Sequence, residues 1–386
     1  MELYEKKRLK IIFFANTDWY LFNFRLPLAL SLKAMGHEVL LISPPGPYGV
    51  RLQATGCRWL PLPMERRSLN PWKEIRLLRY LSKLYRREQP NLAHHFTLKC
   101  VVYGAIAAWV SGTKLSTVSA ITGLGHVFTS DTARTRILRP LLRNLLRFCM
   151  NRPSSRLILQ NQDDKNELLR YRLVDDQNIR LIRGSGVNTH KFQPRLNIRQ
   201  PGPFQVLLAT RLLWDKGVGE YVDAARQLYH EGLGIQFQLA GLPDPGNPAS
   251  VPKKTIEEWR REGLINVLGH VDNMELLLAN IDLMVLPSYR EGTPRSLLEA
   301  ASCGLPIITT DVIGCREVVE HGVNGLLVPP RDAHALAAAI RNLYNDPINC
   351  QRLGQAGRTK ALTQFDEQIV IKQTLAVYQE LIGGLQ

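Results

Sequence analysis

No D-x-D pair occurs anywhere in the 386 residues, so the commonest arrangement for holding a divalent cation against a diphosphate is missing. Any phosphate ligand must then be neutralised by Lys, Arg and backbone dipoles, and no metal or other cofactor is expected. The six cysteines, Cys57, Cys100, Cys149, Cys303, Cys315 and Cys350, are scattered with no C-x-x-C among them. That spacing argues against a zinc ribbon and a disulfide framework and leaves them as small buried apolar residues. No run approaches the roughly eighteen uncharged apolar residues of a membrane span. The opening MELYEKKRLK lacks the apolar core of a secretory signal, so the expectation is a chain made and kept in the cytoplasm.

Acid is scarce in one half only. Residues 1–160 carry 25 Lys and Arg against 8 Asp and Glu, a balance of +17, whereas residues 161–386 carry 24 against 26. The whole excess of +15 therefore belongs to the first half, which points to an anionic partner there: a membrane surface, a phosphorylated lipid or a nucleic acid. The length exceeds what one hydrophobic core usually spans, so two domains are expected.

Short apolar runs alternate with longer mixed segments. In the first half Lys10–Ala15, Val39–Ile42, Thr117–Ile121, Arg156–Leu159 and Asn178–Ile182 read as strands, as does NLAHHF at its apolar end, with helices over Phe24–Met35 and Asn70–Arg87. His94 and His95 in NLAHHF read as structural. After the polar stretch Asn197–Pro203 the pattern restarts with strands at Phe204–Ala209, Gln236–Ala240, Ile265–Leu268, Ile281–Leu286, Pro306–Thr309 and Gly325–Val328. Two parallel, doubly wound α/β domains follow, with ligands expected where the carboxyl ends of the strands open onto a central cleft.

Chemistry-bearing residues fall at those strand ends. LMVLPSYREGTPRSLLEAASCGLPIITTD, Leu283 to Asp311, reads as a strand, a loop with Glu291 and Gly292, and a helix opened by Thr293 as N-cap and Pro294 as N1. Exposed N–H groups around Arg295 and Ser296 would suit a diphosphate. Glu299 lies inside the helix, so it and Glu291 divide a ligand between them: Glu299 for ribose hydroxyls, Glu291 for a sugar or for charge developing at its anomeric carbon. LLATRLLWDKGVGEYVDAA, Leu207 to Ala225, delivers Arg211 and Lys216 to a strand end, where two cations can clamp a departing diphosphate.

These blocks resemble glycosyltransferase family 4, the retaining GT-B enzymes, almost continuously from Phe204 to Asp332. The resemblance rests on Arg211, Lys216, the E-x7-E element from Glu291 to Glu299, and Gly304-Leu305-Pro306 through Asn324-Gly325-Leu326-Leu327-Val328-Pro329. It implies two Rossmann-like domains, a nucleotide-sugar donor, and a donor-base contact at His270 and Val271. The first half is similar more loosely, through Asn16-Thr17-Asp18-Trp19, Phe24-Arg25-Leu26-Pro27-Leu28, Gly36-His37-Glu38-Val39 and Ile121-Thr122-Gly123-Leu124-Gly125. That half looks like the branch building capsule, O-antigen and related bacterial glycans on polyprenyl diphosphate carriers. Two departures stand out. The loop after the first strand, NTDWYLFNF, has no glycine, which puts its usual approach to phosphate in doubt. Thr122-Gly123 replaces the family's His-Gly, so either the histidine's role has lapsed or His126 takes it.

Two basic stretches account for the charge. Arg134–Arg152 interleaves leucines with Arg136, Arg139, Arg143 and Arg147, and Trp72–Glu88 is similar. Each is an amphipathic helix that either lies among anionic headgroups or packs its apolar face on the sheet. The combined expectation divides the chain into an acceptor domain (1–195), a nucleotide-sugar domain (203–364) and a C-terminal segment (365–386) packed back on the first. It makes the chain a metal-independent transferase moving an N-acetylhexosamine from a UDP-sugar to a polyprenyl diphosphate-linked glycan at the cytoplasmic face of the inner membrane. A GT-B enzyme acting on a soluble acceptor and a nucleotide-sugar epimerase remain as alternatives. Nucleic-acid binding is disfavoured by the lack of any recognition-helix or RNP segment.

Overall fold

The computed structural model describes residues 8–66, 68, 70–121, 143–195 and 202–383. The chain divides into two compact units, Met1–Ser185 with Val370–Gln386, and Gly186–Ile369. Unit one holds a parallel sheet of β1 (Lys10–Phe14), β2 (Glu38–Ser43), β3 (Arg58–Pro61), β4 (Leu92–Phe96), β5 (Ser116–Ile121), β6 (Ser155–Leu159) and β7 (Ile179–Leu181), in the order β3-β2-β1-β4-β5-β6-β7. Unit two holds β8 (Phe204–Ala209), β9 (Ile235–Ala240), β10 (Ile265–Gly269), β11 (Leu283–Leu286), β12 (Ile307–Thr310) and β13 (Leu326–Val328), in the order β10-β9-β8-β11-β12-β13. Both are doubly wound α/β sheets.

Burial on both faces explains why the strands are apolar without alternation. In β1, Ile11 and Phe13 face a core shared with Leu28, Ala29, Leu32, Val377 and Tyr378. The intervening Ile12 and Phe14 face the opposite core of Leu77, Leu81, Leu84 and Tyr85. The edge strand β3 went unrecognised in the sequence because RWLP is short, partly exposed and ends in proline.

The helix expected over Phe24–Met35 begins earlier and is irregular. The Thr17 hydroxyl accepts from Tyr20 N to start a turn at Asp18–Tyr20, a π-helical turn covers Leu21–Arg25, and a regular helix runs Leu26–Ala34. Pro27 has no N–H to give to the preceding turn, and the ladder widens just before it.

Of the two basic segments, helix Pro71–Glu88 is capped by Asn70, whose side chain accepts from Trp72 N. Its stripe of Leu77, Leu81, Leu84 and Tyr85 is core. That stripe is therefore not available to lipid; what faces outward is Trp72, Arg76, Arg79, Tyr80, Lys83 and Arg87. In the other segment residues 143–150 are helical and bury Leu146, Cys149 and Met150, while Arg136 and Arg139 lie outside the described residues. The Arg143 guanidinium lies 4.8 Å from the Tyr171 ring centroid, and Arg147 Nε donates to Arg172 O at 2.7 Å. Both arginines thus lean on unit one itself. No helix among the described residues is long and apolar enough to cross a membrane.

Residues 186–195 belong with unit two because their backbone is tied there. Val187 N donates to Phe365 O and Glu367 N to Val187 O, and Arg358 Nη1 donates to the carbonyls of Thr189 and Phe192. The final stretch from Val370 returns to unit one, where the Tyr378 hydroxyl meets His94 Nδ1 at 2.6 Å. His95 is likewise internal, with Nε2 3.0 Å from the Tyr85 hydroxyl.

At the amino edge of the first sheet Glu88 is buried among cations. Arg58 holds both its oxygens, at 2.7 and 2.9 Å, and Lys10 and Arg87 add further bonds. Burial pushes this carboxyl up, but the hydrogen bonds and charge of Arg58, with Arg87 and Lys10, outweigh it and hold it below the usual carboxylate range. Stability from a depressed carboxyl is complete above its unfolded pKa and is lost as pH falls through the folded one. Glu88→Ala should cost about 1–3 kcal/mol in urea unfolding at neutral pH, with the difference from wild type shrinking in strong acid.

Candidate functional site

In unit two the chain runs from β8 outward to β9 and β10 and then returns to place β11 against the other side of β8. Ligands of open parallel sheets bind outside the strand ends at such a reversal. The loops that follow β8 and β11 are bound to each other: Tyr289 N donates to Asp215 O at 2.9 Å and the Ser288 hydroxyl to the same carbonyl at 3.3 Å. Lys216 closes a short 3-10 turn at Trp214–Lys216, and Gly217 follows it at φ +69°, where a Cβ would collide with Pro287 O. Only glycine tolerates both that backbone and that approach.

This turn carries Lys216 to Glu291. Lys216 Nζ donates to Glu291 Oε1 at 2.6 Å, with the two side chains 12% and 15% exposed. The glutamate's own backbone is fixed from the next loop, since Glu291 N donates to Ile313 O at 3.1 Å. Gly314, at φ +83°, leaves room for the carbonyls of Glu291 and Gly292. Behind the pair the Tyr289 hydroxyl donates to Glu220 Oε1 at 2.5 Å, and burial, then that carboxylate, pushes the phenol's pKa up.

The helix after Glu291 runs Arg295–Ser302, and its cap residue is Pro294 in an extended conformation. The expected frame, Thr293 as N-cap and Pro294 as N1, is thus off by one: Thr293 lies outside the helix with its hydroxyl oxygen buried and unpaired. The Pro294 carbonyl receives Leu297 N and Leu298 N, and no side chain caps this end, which leaves its positive dipole end at Ser296 unscreened by a capping oxygen. The Arg295 side chain folds back, its Nε donating to Glu299 Oε1 at 2.9 Å. Burial pushes the Glu299 carboxyl up, and Arg295 partly opposes the shift.

Arg211 and Lys216 do not form one clamp in this state. Arg211 is half exposed and pairs with Asp244 Oδ2 at 3.0 Å, an acid in the loop after β9 that sequence reasoning missed. Beside it, Gly241 N donates to Gly269 O at 2.7 Å, joining the ends of β9 and β10. His270 then points outward, half exposed, with Nε2 3.5 Å from Asp272 Oδ1, while Val271 packs against the core. His126 falls outside the described residues. Among the described residues no three His, Cys, Asp or Glu side chains converge as a metal site requires.

Two doubly wound parallel sheets are the architecture of GT-B glycosyltransferases. The chain belongs to them: residues 191–360 match the family Glycosyl transferases group 1, and residues 10–161 match Glycosyl transferase 4-like. It is 28% identical over 98% of its length, and 100% of the relative's, to the N,N'-diacetylbacillosaminyl-diphospho-undecaprenol alpha-1,3-N-acetylgalactosaminyltransferase of Campylobacter jejuni. It is 22% identical to the capsular polysaccharide biosynthesis glycosyltransferase CapM of Staphylococcus aureus, over 83% of this chain and 84% of that one. The same fold is seen in the Anabaena protein HepE, solved in complex with UDP and glucose, at a TM-score of 0.77 and 18% identity, covering 96% of this chain and 100% of that one.

Because Gly314 is a packing requirement for the Glu291 loop, Gly314→Ala should destabilise the chain by about 1–3 kcal/mol. Urea unfolding monitored by tryptophan fluorescence measures this; an unchanged midpoint would show that the loop yields without cost.

Proposed function

We propose that this glycosyltransferase moves an N-acetylhexosamine, with retention of anomeric configuration, from a UDP-sugar to a saccharide carried on polyprenyl diphosphate. It would act at the cytoplasmic face of a bacterial inner membrane, in surface-glycan synthesis. The observation that carries the chemistry is the Lys216–Glu291 pair, held at 2.6 Å beside an uncapped helix end. The substrates are suggested by similarity along nearly the whole chain to the Campylobacter enzyme, whose name specifies a diphospho-undecaprenol sugar and an N-acetylgalactosaminyl group.

In this reading the bond from the anomeric carbon to the diphosphate breaks while a bond to the acceptor oxygen forms on the same face, and the acceptor proton passes to the departing phosphate. Lys216 and the helix end after Pro294 stabilise the charge gathering on the diphosphate. Arg211, half exposed beside Asp244, joins them. Glu291 faces the positive charge at the sugar carbon, and its bond to Lys216 couples sugar and phosphate recognition. Glu299 takes the ribose hydroxyls, and His270 and Val271 the base. The cations do the work of a metal, so none is required. The outward basic face of helix Pro71–Glu88, with Trp72 and Tyr80, supplies electrostatic attraction to an anionic membrane surface.

A donor screen with purified protein, EDTA and a short-chain polyprenyl diphosphate sugar tests this directly. Turnover with a UDP-N-acetylhexosamine is expected; abolition by EDTA would refute metal independence, and equal transfer to a free sugar would refute the lipid acceptor. Lys216→Ala should lower kcat by about 10²–10³ without loss of fold. Glu299→Ala should mainly weaken UDP binding, by about tenfold in calorimetry.

A further inference from the structure

Unit one has a reversal point of its own. The chain leaves β1 for β2 and β3 and then returns to set β4 against the other side of β1, so the segment after β1 and the end of β4 meet where a ligand is expected. The side chain at that place is Arg25, the last residue of the π-helical turn Leu21–Arg25. It is 6% exposed. Its guanidinium lies 4.5 Å from the ring centroid of Phe96, the last residue of β4, and Nη2 donates to the Tyr20 hydroxyl at 2.8 Å. Nε is buried with no hydrogen-bond partner.

No carboxylate among the described residues pairs with Arg25. The acid nearest in sequence, Asp18, is already occupied: it accepts from Trp19 N at 2.8 Å, Tyr48 N at 2.7 Å and Gly49 N at 2.9 Å. A ring face and one phenol compensate a buried guanidinium only in part, because desolvation of an ion is the larger effect. A second polar atom in the same cluster is also unsatisfied. His94, whose ring lies 4.0 Å from that of Phe96, uses Nδ1 on Tyr378, while Nε2 is buried and unpaired. Natural proteins seldom leave two such groups together without something to receive them.

We infer that Arg25 is an anion-binding residue of unit one and that its guanidinium receives a phosphate group of a substrate at the β1–β4 reversal. A loop without glycine gives phosphate little access to backbone N–H groups, and a planar guanidinium fork supplies donors in their stead. The assignment deepens the transferase reading and rests on it for the identity of the substrate. The phosphate belongs either to the lipid diphosphate of the acceptor or to the diphosphate of the donor.

The test uses Arg25→Met, which removes the charge at similar length, and Arg25→Lys, which keeps the charge without the fork. Both are made in the full chain carrying Lys216→Ala and Arg211→Ala, so that the two cations assigned to the diphosphate in unit two are silenced. Calorimetry with inorganic pyrophosphate should give a Kd at least about tenfold weaker for Arg25→Met, the worth of one charge-assisted hydrogen bond, with Arg25→Lys between. Without ligand the Tm of Arg25→Met should equal or exceed that of its parent, since a buried charge has gone; a residue with a purely structural role would lower it. Equal pyrophosphate affinity in parent and Arg25→Met overturns the inference. Should Arg25→Met not fold, wild-type affinity in Arg25→Lys overturns it instead.

With Lys216 and Arg211 restored, a raised KM for the polyprenyl diphosphate acceptor alone assigns the phosphate to the lipid. A raised KM for the UDP-sugar alone assigns it to the donor, and unchanged values for both overturn the inference. If no lipid diphosphate is turned over at all, the proposed acceptor fails, while the pyrophosphate titration still decides the role of Arg25.

Discussion

Parallel strands cannot be joined by hairpins, so every carboxyl end in a sheet opens onto the same edge, and the residues that do chemistry collect there. Both sheets of this chain obey that constraint, and the rest of the molecule follows from it. In unit two the loops leaving β8 and β11 are locked together by Tyr289 and Asp215, with glycines at 217 and 314 at two of the places where one backbone passes close to another. The ion pair of Lys216 and Glu291 is a product of this locking. Its residues, 75 positions apart in the chain, meet because the strands that carry them are neighbours.

The strands were readable in the sequence for a physical reason: a strand covered on both faces must be apolar throughout, and runs such as KIIFF and EVLLIS have few other interpretations. An edge strand faces no such demand, and β3 was accordingly missed. The residue types of the second unit's site were also visible, because a strand followed by a glycine, a cation or an acid, and then a helix is a local pattern. Their partners were not. Nothing near Arg211 in sequence indicates Asp244, and the pairing of Arg295 with Glu299 diverts a side chain that sequence position alone would aim at phosphate. The cap at Pro294 turns on one backbone angle, ψ 113°, which sequence leaves open after Thr293.

The basic helices show a different kind of ambiguity. A stripe of leucines opposite arginines satisfies the requirement for packing on a sheet and the requirement for resting among lipid headgroups equally well. Only tertiary structure separates the two, and it commits Leu77, Leu81 and Leu84 to the interior. The cations and aromatic rings left outside Pro71–Glu88 can then act by long-range attraction, whose strength depends on ionic conditions, and not by apolar insertion.

Val370, Ile371, Val377 and Tyr378 belong to the core of the first unit, yet they are the last part of it that a ribosome makes. The second unit is continuous in sequence and is finished earlier, while the unit that began first still lacks one wall of its interior. Vectorial synthesis therefore inverts the order of assembly, and the first unit waits, with apolar surface uncovered, for the helix Glu367–Ile382 to emerge.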